Sequence, residues 1–123
     1  MLVTFMVSAL LLVHWLGCGL KYIAMIQDIM AGKDYETWLT REGLEGSSNM
    51  EVWLTCIYWS TMTLTTIGYG DIDLTTSVEH VYAVVCMLIG AASFAFVIGN
   101  IVDLLESLNG EKERSVSPFM RMP

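Results

Sequence analysis

The sequence predicts an all-α membrane protein in which two transmembrane helices flank a short re-entrant helix and a glycine-rich loop. Three observations carry this. Residues 1–26 form one apolar span, and residues 81–102 form a second, 22 residues without a charged side chain. A helix needs about 20 apolar residues to cross a hydrocarbon core of about 30 Å. Between the spans, Val52 to Leu64 is apolar and aromatic but too short to cross, and Thr65-Thr66-Ile67-Gly68-Tyr69-Gly70-Asp71 follows directly.

Composition agrees. With 123 residues, 54% of them hydrophobic, the chain reads as one small membrane domain rather than a soluble globule. Cys18, Cys56 and Cys86 all sit in apolar stretches without metal-type spacing, so they read as reduced packing residues. There is no nucleophile–base pair, metal cluster or phosphate loop in the sequence, which excludes an enzyme, and no cofactor is expected. Net charge is −7, and residues 27–80 hold nine acidic side chains against Lys33 and Arg41. Such a face excludes nucleic acid as a partner and would concentrate cations instead.

The outer helix, residues 1–26, lacks a basic leader and a small-residue cleavage site, so it is expected to be retained. Within it His14 reads as a packing residue bonded to a neighbour, with a proton sensor as the sharper alternative. Gly17 and Gly19 suit close helix contact, and Lys21 is placed to snorkel towards the interface. Residues 27–48 form a polar loop in which Tyr35 and Trp38 suit a membrane–water boundary. Ser48-Asn49-Met50-Glu51 fits a capping box, with Glu51 reaching back to Ser48. A re-entrant helix is therefore expected over 49–65, its carboxyl end carrying partial negative charge. Residues 66–71 make the loop, and 81–105 the second crossing helix. The polar tail 106–123 is expected to fray near Asn109-Gly110 and to be disordered.

A Thr-Ile-Gly-Tyr-Gly run suits a backbone whose carbonyls all face one axis, which needs dihedrals of alternating hand; glycine adopts the left-handed form at almost no cost. Residues 65–71 resemble the selectivity filter of potassium channels, with Ile67 where valine is commonest. The order of span, re-entrant helix, glycine-rich loop and span resembles the pore module of those channels. His14-Trp15-Leu16-Gly17-Cys18 and Met87-Leu88-Ile89-Gly90 followed by Gly99-Asn100 resemble the outer and inner helices of the ether-à-go-go and cyclic-nucleotide-gated group. The resemblance covers residues 3–105 and the pore of that group alone; in this sequence no helix carries an arginine at every third position.

That resemblance implies a pore-forming subunit of a potassium-selective channel, passive in its conduction. Thr66, Ile67, Gly68, Tyr69 and Gly70 would coordinate ions, with K+ held at Thr66, Ile67, Gly68 and Tyr69. Tyr58, Trp59 and Asp71 would support the filter, with Asp73 and Glu79 adding negative potential nearby. Gly90 and Gly99 are candidate hinges, although Gly90 equally suits close contact with the pore helix. Ala91, Phe94 and Ile98 would line the inner cavity. Two crossing helices cannot enclose a pore, so the expected partners are the membrane and three further copies of the chain. Related pore subunits could stand in for those copies. Two alternatives remain: a non-conducting structural or regulatory subunit of a larger assembly, and a non-selective cation pore. The presence of Asp71 favours selectivity over the latter. Multi-pass membrane insertion with the termini on the cytoplasmic side follows from the resemblance, and more weakly from the basic residues of the tail.

Overall fold

The computed structural model describes residues 2–31 and 36–116, so Tyr35 lies outside the described residues. Four helices follow one another: α1 (Leu2–Ala31), α2 (Trp38–Arg41), α3 (Asn49–Leu64) and α4 (Ser77–Val116). Two of them are long and apolar enough to cross a membrane, over Met6–Ala31 and Ser77–Ser107. The chain divides into two compact units, Met1–Ala91 and Ala92–Pro123.

The first unit packs around one apolar cluster. Leu16, Leu20 and Ala24 of α1 recur every four residues and so form one stripe of a helix. Val52, Cys56, Trp59 and Met62 form a stripe on α3 at spacings of four and three, and Ala83 and Cys86 lie three apart on α4. Trp38 from the single turn of α2 and Ile72 from the α3–α4 loop complete it. Small residues allow the close approaches. A Cβ at Gly17 would stand 3.1 Å from the Cys56 carbonyl oxygen, and one at Gly19 would collide with the Tyr82 hydroxyl. Tyr82 uses that space to donate a 2.7 Å hydrogen bond to the Leu16 carbonyl, tying α4 to α1.

Helix starts follow their caps. α3 begins at Asn49 as expected, where the Ser48 hydroxyl accepts a 3.3 Å bond from the Glu51 N–H. No return bond from the Glu51 carboxylate is present among the described residues, so only half of that capping box forms. A complete box stands at the head of α4. Glu79 N–H donates to Thr76 Oγ1 at 3.1 Å, and Thr76 N–H donates to Glu79 Oε2 at 3.2 Å. This is why α4 starts at Ser77 rather than residue 81. Its last turns hold Glu111, Lys112, Glu113 and Arg114, all good helix formers. The helix accordingly continues to Val116, past the Asn109-Gly110 end expected from the sequence, and residues 106–116 are helical rather than disordered. Residues 117–123 of that tail lie outside the described residues. α1 likewise runs to Ala31, beyond residue 26.

Two side chains assigned to the surface are instead buried. Trp38 is fully enclosed, its indole donating to the Leu20 carbonyl at 3.3 Å and its backbone N–H to Glu79 Oε1 at 3.1 Å. Glu79, also at 0% exposure, accepts a further 2.9 Å bond from Thr75 N–H. A carboxylate can be enclosed this way because backbone donors replace its water shell. Gln27 of α1 completes the lock, its side-chain amide donating to Thr76 Oγ1 at 2.9 Å.

Candidate functional site

The site grows out of the way α3 ends. After Leu64 the chain closes a Schellman turn: Ile67 N–H donates to the Met62 carbonyl at 2.9 Å, and Thr66 N–H to the Thr63 carbonyl at 3.2 Å. Gly68 N–H also reaches Met62, at 3.2 Å. Such a turn needs a left-handed residue, usually glycine, directly after the cap. Here it is Thr66, with φ of +60°. A β-branched residue in that region is a backbone outlier that its surroundings must hold in place, and such outliers gather at functional sites.

The left-handed geometry then repeats at every second residue, with φ of +56° at Gly68 and +72° at Gly70. Ile67 and Tyr69 lie between them on the ordinary side of the map. The alternation inferred from the motif is therefore present from Thr66 to Gly70. The loop is open to its surroundings: Ile67 is 56% and Tyr69 70% exposed, and a Cβ added to Gly68 or Gly70 would meet nothing within 4 Å.

The far end of the loop is fastened to the middle of the same helix. Tyr58 donates a 2.7 Å hydrogen bond to Asp71 Oδ2, and the acceptor carboxylate holds the phenol's pKa above its ordinary value. The structure thus joins Tyr58 to Asp71 and fastens residues 66–68 to Met62 and Thr63. It places Trp59 elsewhere, buried and stacked on Tyr82 with ring centroids 6.4 Å apart. Gly90 sits against the end of α3, where a Cβ would stand 3.2 Å from Leu64 Cα. Ala91, Phe94, Ile98 and Gly99 are all exposed on α4.

Acidic residues around the loop are partly spent on one another's neighbours. Arg41 bonds Glu36 at 3.3 Å and Asp73 at 3.2 Å. Glu42 accepts from Asp73 N–H at 3.1 Å, and Glu45 from the Thr40 hydroxyl at 2.9 Å. Glu79 is enclosed and does not face the loop's surroundings, which corrects its assignment to the acidic rim.

Between α1 and α3, His14 has the neighbour its packing role requires. Trp53 of α3 donates its indole N–H to His14 Nδ1 at 3.3 Å, and Cys18 Sγ lies 3.6 Å from Nε2. An indole only donates, so Nδ1 is the bare nitrogen and a neutral ring carries its proton on Nε2. Sequence reasoning missed Thr66 as the left-handed cap and Glu79 as the lock of α4. For Glu79 the Thr76-x-x-Glu79 spacing was a usable signal; for Thr66 there was none.

Comparison with known proteins points the same way. A family model described as "Ion channel" matches residues 3–107. The voltage-gated delayed rectifier potassium channel KCNH5 of Homo sapiens is 24% identical over 123 residues, covering 85% of this chain and 12% of that protein. The voltage-gated inwardly rectifying potassium channel KCNH2 of Sus scrofa is 25% identical over 126 residues, covering 91% of this chain and 11% of that protein. The potassium voltage-gated channel unc-103 of Caenorhabditis elegans is 25% identical over 136 residues, covering 98% of this chain and 16% of that protein. The chain thus spans under a fifth of the length of these relatives. The match over residues 3–107 takes in α3, the loop and both apolar helices, and the resemblance to a potassium-channel pore module holds. This chain is an integral membrane protein and belongs to the ion channel family.

Proposed function

We propose that four copies of this chain surround a potassium-selective pore through which ions pass passively. Thr66, Ile67, Gly68, Tyr69 and Gly70 present the coordinating carbonyls, and K+ sits at Thr66, Ile67, Gly68 and Tyr69. The observation that carries this reading is the alternation of left-handed residues at 66, 68 and 70. Successive carbonyls in an ordinary strand point to opposite sides, whereas alternating the hand of the dihedrals turns them to one side. A ring of such carbonyls replaces the hydration shell of a cation. The exposure of Ile67 and Tyr69 in a single chain supports an assembly that covers them.

The other roles follow from that assembly. Tyr58 and Asp71 brace the outer end of the filter, and Trp59 secures α3 to α4 behind it. Ala91, Phe94 and Ile98 line the inner cavity, and bending at Gly90 or Gly99 closes it. Transport, rather than catalysis, is the activity, and K+ is a permeant ion and not a cofactor. Reversal potentials of the reconstituted protein in mixed potassium and sodium test the reading, together with a subunit count. Reversal near the potassium equilibrium potential supports it; reversal near zero in opposed gradients would make this a non-selective cation pore. Silence from protein shown to be tetrameric would make it a structural subunit.

A further inference from the structure

A groove of about 510 Å³ runs between α1 and the amino-terminal half of α3. Gly17 and Cys18 form one wall, Met50 and Trp53 the other, and the groove exists because the α1 residues are small. Its volume falls within the range of about 300–1,000 Å³ found for small-molecule sites. Gly17 meets the Cys56 carbonyl at one level and Lys21 meets Asn49 at another, so the lysine marks the groove's end at the first turn of α3. There Lys21 Nζ donates a 3.2 Å bond to Asn49 Oδ1. An ammonium has three donors, so two are left. The ion pairs among the described residues all belong to Arg41, so this cation has no carboxylate partner there. Trp53 spends its one donor on His14 and therefore offers the groove only its carbon surface.

We infer that this groove holds a glycerophospholipid of the leaflet on the loop side, its phosphate on Lys21 and one acyl chain between Gly17–Cys18 and Trp53. Charge complementarity selects the headgroup: a cation with spare donors stands at the mouth of an otherwise apolar slot. Glu51 in the first turn of α3 offsets the partial positive charge of that helix start, so the phosphate rests on Lys21. Apolar walls at membrane depth select the chain. The inference rests on the membrane setting of α1 and is independent of whether the loop conducts.

The test is native mass spectrometry of the full chain after extraction from bilayers of dioleoylphosphatidylglycerol. About one lipid per subunit should stay bound to the wild type. Lys21→Gln should lower that retention about tenfold, as loss of a charge-assisted bond predicts, and Lys21→Arg should restore it. Cys18→Trp, which fills the slot and leaves the lysine, should also release the lipid. Wild-type levels of retention by Lys21→Gln or by Cys18→Trp would overturn the inference. So would displacement of the lipid by millimolar inorganic phosphate, which would mean that the lysine binds phosphate without the chain. Cys18 is the one exposed cysteine. Its protection from a permeant maleimide in the delipidated assembly would show that a second copy covers the groove, and would likewise overturn it.

Discussion

Tyr58 and Asp71 are joined by a 2.7 Å hydrogen bond that spans the loop, one partner on α3 and the other just past the last glycine. With residues 66–68 fastened to Met62 and Thr63, the loop is held at both ends by the helix it leaves. Tyr58→Phe removes the outer tie while keeping the ring. The expected outcome is a faster decay of current during sustained opening, with the reversal potential unchanged. Tyr58→Trp, which supplies another donor, should slow that decay again. Decay rates identical in all three proteins would show that the bond does not restrain the loop.

Gly68→Ala tests the alternation itself. A methyl group there meets no neighbour, so the only obstacle is the backbone conformation at φ of +56°. An L-residue pays about 1–2 kcal/mol to remain left-handed, and escaping that cost swings the adjoining carbonyl away. Assembly should survive and selective conduction should be lost. Potassium-selective currents of normal size from this variant would remove the proposed function.

Thr66 already pays that cost, so Thr66→Gly should stabilise the fold by about 1 kcal/mol in the absence of potassium. On the proposed function Thr66 stands at the inner end of the ladder, where its hydroxyl would add an oxygen ligand; the same change deletes that hydroxyl, so stabilisation by added potassium should shrink. Thr66→Val separates the effects, because it keeps the β-branched side chain and exchanges only the hydroxyl for a methyl. Thermal unfolding in detergent with and without potassium gives both readings. A glycine variant no more stable than wild type would mean that the surroundings of Thr66 offset its strain fully.

Much of this arrangement could be read from local signals. Ser48 marked the start of α3, and the glycines at 68 and 70 marked a left-handed ladder, because each acts on its immediate backbone. Thr66 was hidden, since threonine is nearly the last residue a left-handed cap would suggest; the hydrogen bonds to Met62 and Thr63 hold it there. Trp38 and Glu79 were misplaced for a different reason. An amphipathic indole suits a membrane boundary, and an acidic residue near a mouth suits solvent. Their burial depends on Leu20 and on each other, contacts 18 and 41 residues apart along the chain. The sequence suits Gly90 equally to hinge and contact, because its approach to Leu64 depends on how α3 and α4 pack against each other.

Glu79 makes a prediction of its own. Its two oxygens serve backbone donors at Trp38, Thr75 and Thr76. Glu79→Gln turns one oxygen into an N–H₂ group that faces a backbone donor, and each buried donor left unsatisfied costs about 1–3 kcal/mol. Glu79→Gln should therefore lower the yield of assembled protein and its unfolding temperature, whereas replacing the exposed Glu51 by Gln should do neither. Equal stability of the Glu79 variant and the wild type would show that the carboxylate's charge is dispensable there.

The last prediction concerns the charges at the mouth. Arg41 neutralises part of the acidic rim, bonding both Glu36 and Asp73 while remaining half exposed. Exposed pairs of this kind contribute about 0–1 kcal/mol, so removing the arginine should leave the fold intact. Its absence uncovers two carboxylates in each subunit, and fourfold repetition would deepen the negative potential that gathers cations. Arg41→Gln should accordingly raise single-channel conductance at low salt. Neutralising Glu42, Glu45 and Asp73 together should lower it. Both effects should fade in concentrated salt, because the screening length falls from about 30 Å at 0.01 M to about 3 Å at 1 M. Glu42 also supports the loop through the Asp73 N–H, so Glu42→Gln, which keeps an acceptor, is the variant to use. Changes of equal size at both salt concentrations would show that these residues act by shaping the loop and not through their field.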